Sequence, residues 1–105
     1  MAGPTREIFL NQTTPAASAV FSPQRVREEQ GVVMVNFVVG TGSTFSLNIL
    51  GRSDALGLFY TIKTITQADV DANGNYAVVV ELFPQMRFNL TALAAGGTIN
   101  AWISE

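Results

Sequence analysis

The chain has 105 residues, of which 48% are hydrophobic and 13% charged, with a net charge of -2; this is one domain with a modest core and about half the usual share of charge. So little positive charge argues against nucleic-acid binding, which needs clustered lysine and arginine. The absence of histidine and cysteine removes imidazole bases, thiol nucleophiles, disulfides and most zinc, haem and iron–sulfur ligand sets.

Residues 1–30 carry Arg6, Glu7, Arg25, Arg27, Glu28 and Glu29, together with Pro4, Pro15 and Pro23. They read as an extended N-terminal arm, with 31–105 as the folded domain. The arm holds two apolar patches, Ile8-Phe9-Leu10 and Ala19-Val20-Phe21. Five large side chains cannot by themselves offset the entropy of ordering such a segment. It must add strands to the sheet or order on a neighbour, and fully extended it reaches about 100 Å. The expectation is that Ile8, Phe9, Leu10, Val20 and Phe21 make intersubunit contacts and that the arm is mobile in an isolated monomer. Deleting residues 2–24 is then expected to leave the domain folded and to weaken assembly.

From residue 31 onward, short apolar runs alternate with turns. Val33, Val35, Phe37 and Val39 share one strand face, and Val32, Met34, Asn36 and Val38 the other. Both faces are largely apolar, so this strand is expected to be central or covered on both sides. After a turn at 40–43, Phe45, Leu47 and Ile49 alternate with Ser46 and Asn48, as in a half-buried strand. Tyr60 and Ile62 oppose Thr61 and Lys63 in the next. Asp71-Ala72-Asn73-Gly74 predicts a tight hairpin turn. Tyr76, Val78 and Val80 then alternate with Ala77, Val79 and Glu81 until Pro84 breaks the strand. Met86, Phe88 and Leu90 form another, and Gly96-Gly97 turns the chain into Ile99, Ala101 and Ile103, with Trp102 on the opposite face. No window shows a sustained helical repeat. The pattern predicts an all-β antiparallel sandwich, jelly-roll or immunoglobulin-like, of six to eight strands. Inward residues are expected to include Val35, Phe37, Leu47, Ile49, Ile62, Val78, Val80, Phe88, Leu90 and Ile99.

The motifs that carry chemistry are few. Asp69-Val70-Asp71-Ala72-Asn73-Gly74 opens like an EF-hand calcium loop, but its twelfth position is Val80 where a bidentate glutamate belongs, and no helix flanks it. Gly40-Thr41-Gly42-Ser43-Thr44 lacks the lysine of a phosphate-binding loop. No Ser-His or Cys-His pair is possible, and Asp54, Asp69, Asp71 and Glu81 lie in turns or on a strand face, with nothing to make an acid–base pair of them. No catalytic residue, cofactor or metal site is therefore assigned, and the protein is not expected to be an enzyme. Trp102, Tyr60, Tyr76 and Phe59 are either core and interface aromatics or a platform for sugar stacking. Trp102 sits opposite Ile99, Ala101 and Ile103, so either it is exposed or the last strand is covered on both sides, and it joins the arm residues as a predicted protein interface. No run approaches the about 18 apolar residues of a membrane helix, and the start lacks a signal-peptide pattern, so the protein is expected to be made and used in soluble form.

Four segments carry a resemblance: Phe45-Ser46-Leu47-Asn48-Ile49-Leu50-Gly51-Arg52-Ser53-Asp54; Asp71-Ala72-Asn73-Gly74; Leu82-Phe83-Pro84-Gln85-Met86-Arg87-Phe88-Asn89-Leu90-Thr91-Ala92; and Gly97-Thr98-Ile99-Asn100-Ala101-Trp102-Ile103-Ser104-Glu105. Together they resemble small β-sandwich virion proteins of tailed bacteriophages, of the capsid decoration or cement type. The resemblance covers roughly the last sixty residues. It implies a structural role: binding to the assembled major capsid protein lattice and stabilising the head, on the capsid surface of a virion whose parts are made in the host cytoplasm. The low charge density fits a homo-oligomer, such as a trimer, in which surfaces are shared between chains. Another virion component, in the tail or neck, is the nearest alternative. A carbohydrate-binding β-sandwich module comes next.

Overall fold

The computed structural model describes residues 5–23, 30–38, 44–53 and 57–105. Val39, the turn expected at 40–43, and Asp54 lie outside the described residues. Side chains that alternate along an extended backbone put one apolar face of each strand inward, and eight strands result. They are β1 (Thr5–Gln12), β2 (Ala16–Ala17), β3 (Gln30–Val38), β4 (Phe45–Arg52), β5 (Tyr60–Thr66), β6 (Asn75–Glu81), β7 (Gln85–Leu93) and β8 (Thr98–Ser104). Two antiparallel sheets, ordered β1-β8-β3-β6 and β2-β7-β4-β5, pack face to face. The predicted all-β sandwich is the fold observed.

The core lies between the sheets. Phe9, Val33, Val35, Phe37, Val80, Ile99, Ala101 and Ile103 enter it from the first sheet, and Phe45, Leu47, Ile49, Ile65, Met86, Phe88 and Leu90 from the second. Phe37 meets Phe45 across the gap at 4.6 Å between ring centroids. Of the expected inward residues, Ile62 and Val78 are only partly buried and pack against this cluster, and the rest are buried.

The connections differ from the expected hairpins. Among the described strands, only β4 and β5 are both consecutive and adjacent; every other link crosses between sheets. Asp71-Ala72-Asn73-Gly74 is accordingly an arch from β5 to β6. Gly74 takes a φ of 80°, and its carbonyl accepts the Phe37 N–H at 2.7 Å. The Asp71 carboxylate accepts the N–H groups of Asn73 at 2.8 Å and Asn75 at 3.0 Å, and Asp69 accepts that of Thr66 at 2.9 Å. Both carboxylates thus hold the backbone of the arch, the use expected of Asp in a turn.

The largest correction concerns the N-terminal segment. Residues 5–12 and 16–17 are outer strands of the two sheets, so the expected boundary between a 1–30 arm and a 31–105 domain does not hold for them. β1 pairs with β8 from Thr5↔Ser104 to Gln12↔Ile99, with two register shifts on the way. Ala16 and Ala17 pair with Leu90 and Asn89 on β7. Phe21 exchanges two main-chain hydrogen bonds with Met86, at 2.9 and 2.8 Å, and its ring meets Phe88 edge-on at 5.9 Å. Side-chain burial alone could not order this segment, but ladder bonds to β8 and β7, and the apolar surface it covers on them, supply the remainder. Of the two ways to order it, strand addition to its own sheets is the one realised.

Where the 16–21 segment bulges away from β7, a side chain completes the ladder. Ser18 donates its N–H to the Phe88 carbonyl at 2.8 Å, and its hydroxyl oxygen accepts the Phe88 N–H at 3.0 Å. Ser18→Ala leaves that donor unpaired and is expected to destabilise the fold by about 1–2 kcal/mol, read as a lower urea midpoint with an unchanged slope; Ser18→Thr should keep most of the bond.

Candidate functional site

The strand register fixes what the outer face of the first sheet displays. Glu7 lies opposite Trp102, Trp102 opposite Met34, and Met34 opposite Ala77, so one row crosses all four strands. A parallel row runs Thr5, Ser104, Val32, Val79. On the other side Asn100, Asn36 and Asn75 form a third. The Asn36 amide donates to Asn75 Oδ1 at 2.8 Å, and Asn100 Oδ1 accepts the Asn11 N–H at 2.7 Å. The face thus carries an apolar band beside an asparagine row.

A groove of about 680 Å³ opens here, bordered by Thr5, Met34, Asn36, Asp71 and Trp102 among others. Trp102 and Met34 are half-buried by their neighbours, and Val79 and Val38 are 55% and 53% exposed. The two-faced apolarity of β3 accords with its central place between β8 and β6, while its outer side is open among the described residues. The acidic groups at this face are Glu7, Glu81 and Asp71, and no described arginine or lysine shares it. The outer face of the second sheet is the opposite. There Arg52 and Arg87 flank the Phe59 ring at 4.2 and 5.2 Å from its centroid, a cation–π pair, and Arg52 Nε donates to Gln85 at 2.8 Å.

The residues predicted as an interface do not form one surface. Phe9 and Phe21 are buried in the chain's own core, which removes them from any intersubunit contact in this fold. Ile8 and Val20 border a cleft of about 220 Å³ between β1 and the 18–21 segment, where Ile8 packs against the core. Leu10 is 62% exposed, and Trp102 stands on the outer face of the first sheet. Of the four aromatics weighed as a sugar platform, two share the groove: Tyr76 lines it with Trp102 while also packing against the core. Tyr60 is exposed on β5, and Phe59 is engaged by the two arginines. Sequence reading missed Met34, Ala77 and the asparagine row as companions of Trp102. The available signal is the apolar outer set Val32, Met34 and Val38 of a strand expected to be central or covered.

Trp102, Tyr76, the Met34 thioether and the Asn36 and Asn75 amides thus line the groove, with the Asp71 carboxylate at its border. Comparison of the chain with family models, with curated proteins and with solved structures returns no match.

Proposed function

We propose that the protein is a non-enzymatic structural module that docks by its Trp102 face onto an ordered protein surface, as a decoration protein on the major capsid protein lattice of a virion. The observation that carries this reading is the apolar Trp102–Met34–Ala77 row on a sheet face with no second layer over it among the described residues. A flat band with one large aromatic suits a protein partner, because interface cores are apolar and anchored by Trp, Met and Tyr. The acidic rim of Glu7, Glu81 and Asp71 selects a partner surface with basic residues around its contact. The virion setting is supported by the resemblance of the last sixty or so residues to phage decoration proteins, and the complete lack of histidine and cysteine supports a non-catalytic role.

Purified protein should bind expanded heads that lack it and raise their resistance to heat. Trp102→Ala should weaken that binding by about thirtyfold or more, the scale of a tryptophan hot spot, while its own unfolding midpoint stays near the wild-type value. Binding to tails or necks and not to heads would move the protein to another virion part. Unchanged binding by the variant would sink the Trp102 face as the docking surface. The positions of Tyr60 and Phe59 on the second sheet's side, away from Trp102, weigh against a sugar-binding module; micromolar glycan binding abolished by Trp102→Ala would reverse that.

A further inference from the structure

Four strands end the sheets: β1, β6, β2 and β5. A sheet edge presents unpaired N–H and C=O groups, and natural sandwiches blunt it with bulges, lysines, prolines or very short strands. Three of these edges are blunted. β1 has two register shifts and ends near Asn11, whose φ is 49°. β2 is two residues long. β5 has a register shift against β4 at Ile49/Leu50 and carries Lys63.

β6 has none of these devices. It pairs with β3 in unbroken register from Gln30↔Glu81 to Asn36↔Asn75, without proline, glycine or lysine, and reads Asn75-Tyr76-Ala77-Val78-Val79-Val80-Glu81. Its β-branched run is the composition that favours strand pairing.

The hydrogen bonds around the arch fix which groups are free. Phe37 N donates to the Gly74 carbonyl at 2.7 Å. Bonding alternates along an antiparallel pair, so Tyr76, Val78 and Val80 turn their main-chain groups toward β3. Asn75, Ala77, Val79 and Glu81 turn theirs away. Asn75 conforms, because its N–H donates to Asp71 Oδ1 and its carbonyl accepts the Asp71 N–H at 3.0 Å. The arch therefore caps the edge at Asn75, leaving Ala77, Val79 and Glu81 with donors and acceptors aimed outward.

We propose that β6 pairs antiparallel with β6 of a second copy about a two-fold axis through Val79, joining the two first sheets into one of eight strands. This centre places Ala77, Val79 and Glu81 opposite Glu81, Val79 and Ala77, so that every outward N–H meets an outward carbonyl. A centre at Val78 would set Glu81 against Asn75, whose groups Asp71 already holds. A centre between two residues would put core-facing side chains against solvent-facing ones. In the Val79 register no two like charges meet, because Glu81 faces Ala77. The exposed Val79 side chains cover each other, and the edge that most needs covering is closed by the one partner certain to match it. The arrangement is two-fold, in place of the trimer expected from the sequence, and it does not depend on what the Trp102 face binds.

Sedimentation of the full chain should show a concentration-dependent dimer. Val79→Pro removes an outward N–H, and proline is tolerated on the free side of an edge strand. The variant should keep its β circular-dichroism spectrum while the dimer dissociation constant rises about tenfold or more. Because the chain has no cysteine, Val79→Cys and Ala77→Cys each introduce a single thiol. A short thiol–thiol cross-linker should join Val79→Cys chains efficiently and leave Ala77→Cys chains single, since only Val79 lies opposite its own copy. A wild-type chain that stays monomeric at its highest soluble concentration overturns the proposal. So does a dimer in which Ala77→Cys cross-links as well as Val79→Cys. Should Val79→Pro unfold, the paired cross-linking result decides by itself.

Discussion

Removing residues 2–24 should leave a chain with no cooperative unfolding transition at 25 °C. The deletion takes away all of β1 and β2 and, with them, Phe9 and Phe21, which are 5% and 8% exposed. Truncating a buried phenylalanine to alanine typically costs about 3–5 kcal/mol, and a small domain has about 5–15 kcal/mol in total. The deletion goes further than two truncations, because it uncovers the β8 edge, strips Phe88 of the Phe21 ring that meets it and removes the main-chain partner of Met86. Thermal or urea melts followed by circular dichroism read the result directly. A truncated chain that melts cooperatively near the full-length midpoint would return residues 5–23 to the role of a dispensable arm.

Gly74→Ala should lower stability by roughly 3 kcal/mol or more, the upper end of what a forced left-handed residue costs. Two terms add. The φ of 80° is one that side-chain-bearing residues rarely adopt, and an ideal Cβ at this position would stand 2.0 Å from the Phe37 carbonyl oxygen. That oxygen is main chain of β3, on the residue whose N–H donates to the Gly74 carbonyl, so relief of the clash must shift strand backbone and not a flexible side chain. Gly74→Asn separates the terms: asparagine tolerates the backbone angle but carries the same Cβ, so it should recover little. Urea midpoints of the two variants, compared with wild type, provide the measurement. Near-complete recovery by asparagine would mean that β3 yields at this point and that only the backbone angle matters.

Much of the sandwich was legible because its signal is local. Phe45, Leu47 and Ile49 alternate with polar residues on β4, and Met86, Phe88 and Leu90 on β7, so period-two reading places them inward. The N-terminal strand defeated that reading because β1 is bulged. Register shifts between Glu7 and Phe9 and between Phe9 and Gln12 break the alternation, and of the apolar trio Ile8-Phe9-Leu10 only Phe9 is fully buried. Strand order was also out of reach. The Asp71–Gly74 turn has hairpin chemistry, yet it carries the chain from one sheet to the other, a choice made by packing and not by the turn residues. The Trp102 face is legible only in part. Trp102 announces itself, but its companions Met34 and Ala77 come from distant strands, and Asn36 and Asn75, 39 residues apart, become neighbours through register alone.

The pairing of Thr5 with Ser104, whose hydroxyls meet at 3.3 Å across 99 positions of sequence, bears on how the molecule comes into being. β8 sits between β1 and β3 in the first sheet, so neither neighbour is fully paired until β8 has been synthesised. At about 5–20 residues per second, β3 waits several seconds for it. Topologies dominated by such distant pairings also fold slowly, in milliseconds to seconds. In the last part of that wait, once Glu81 has been made, β6 is available to β3 before β8 is, with its other side unblunted. Slower synthesis should therefore lengthen the time in which chains on one messenger meet edge to edge, and soluble yield should follow translation speed more closely than it follows the stability of the finished fold.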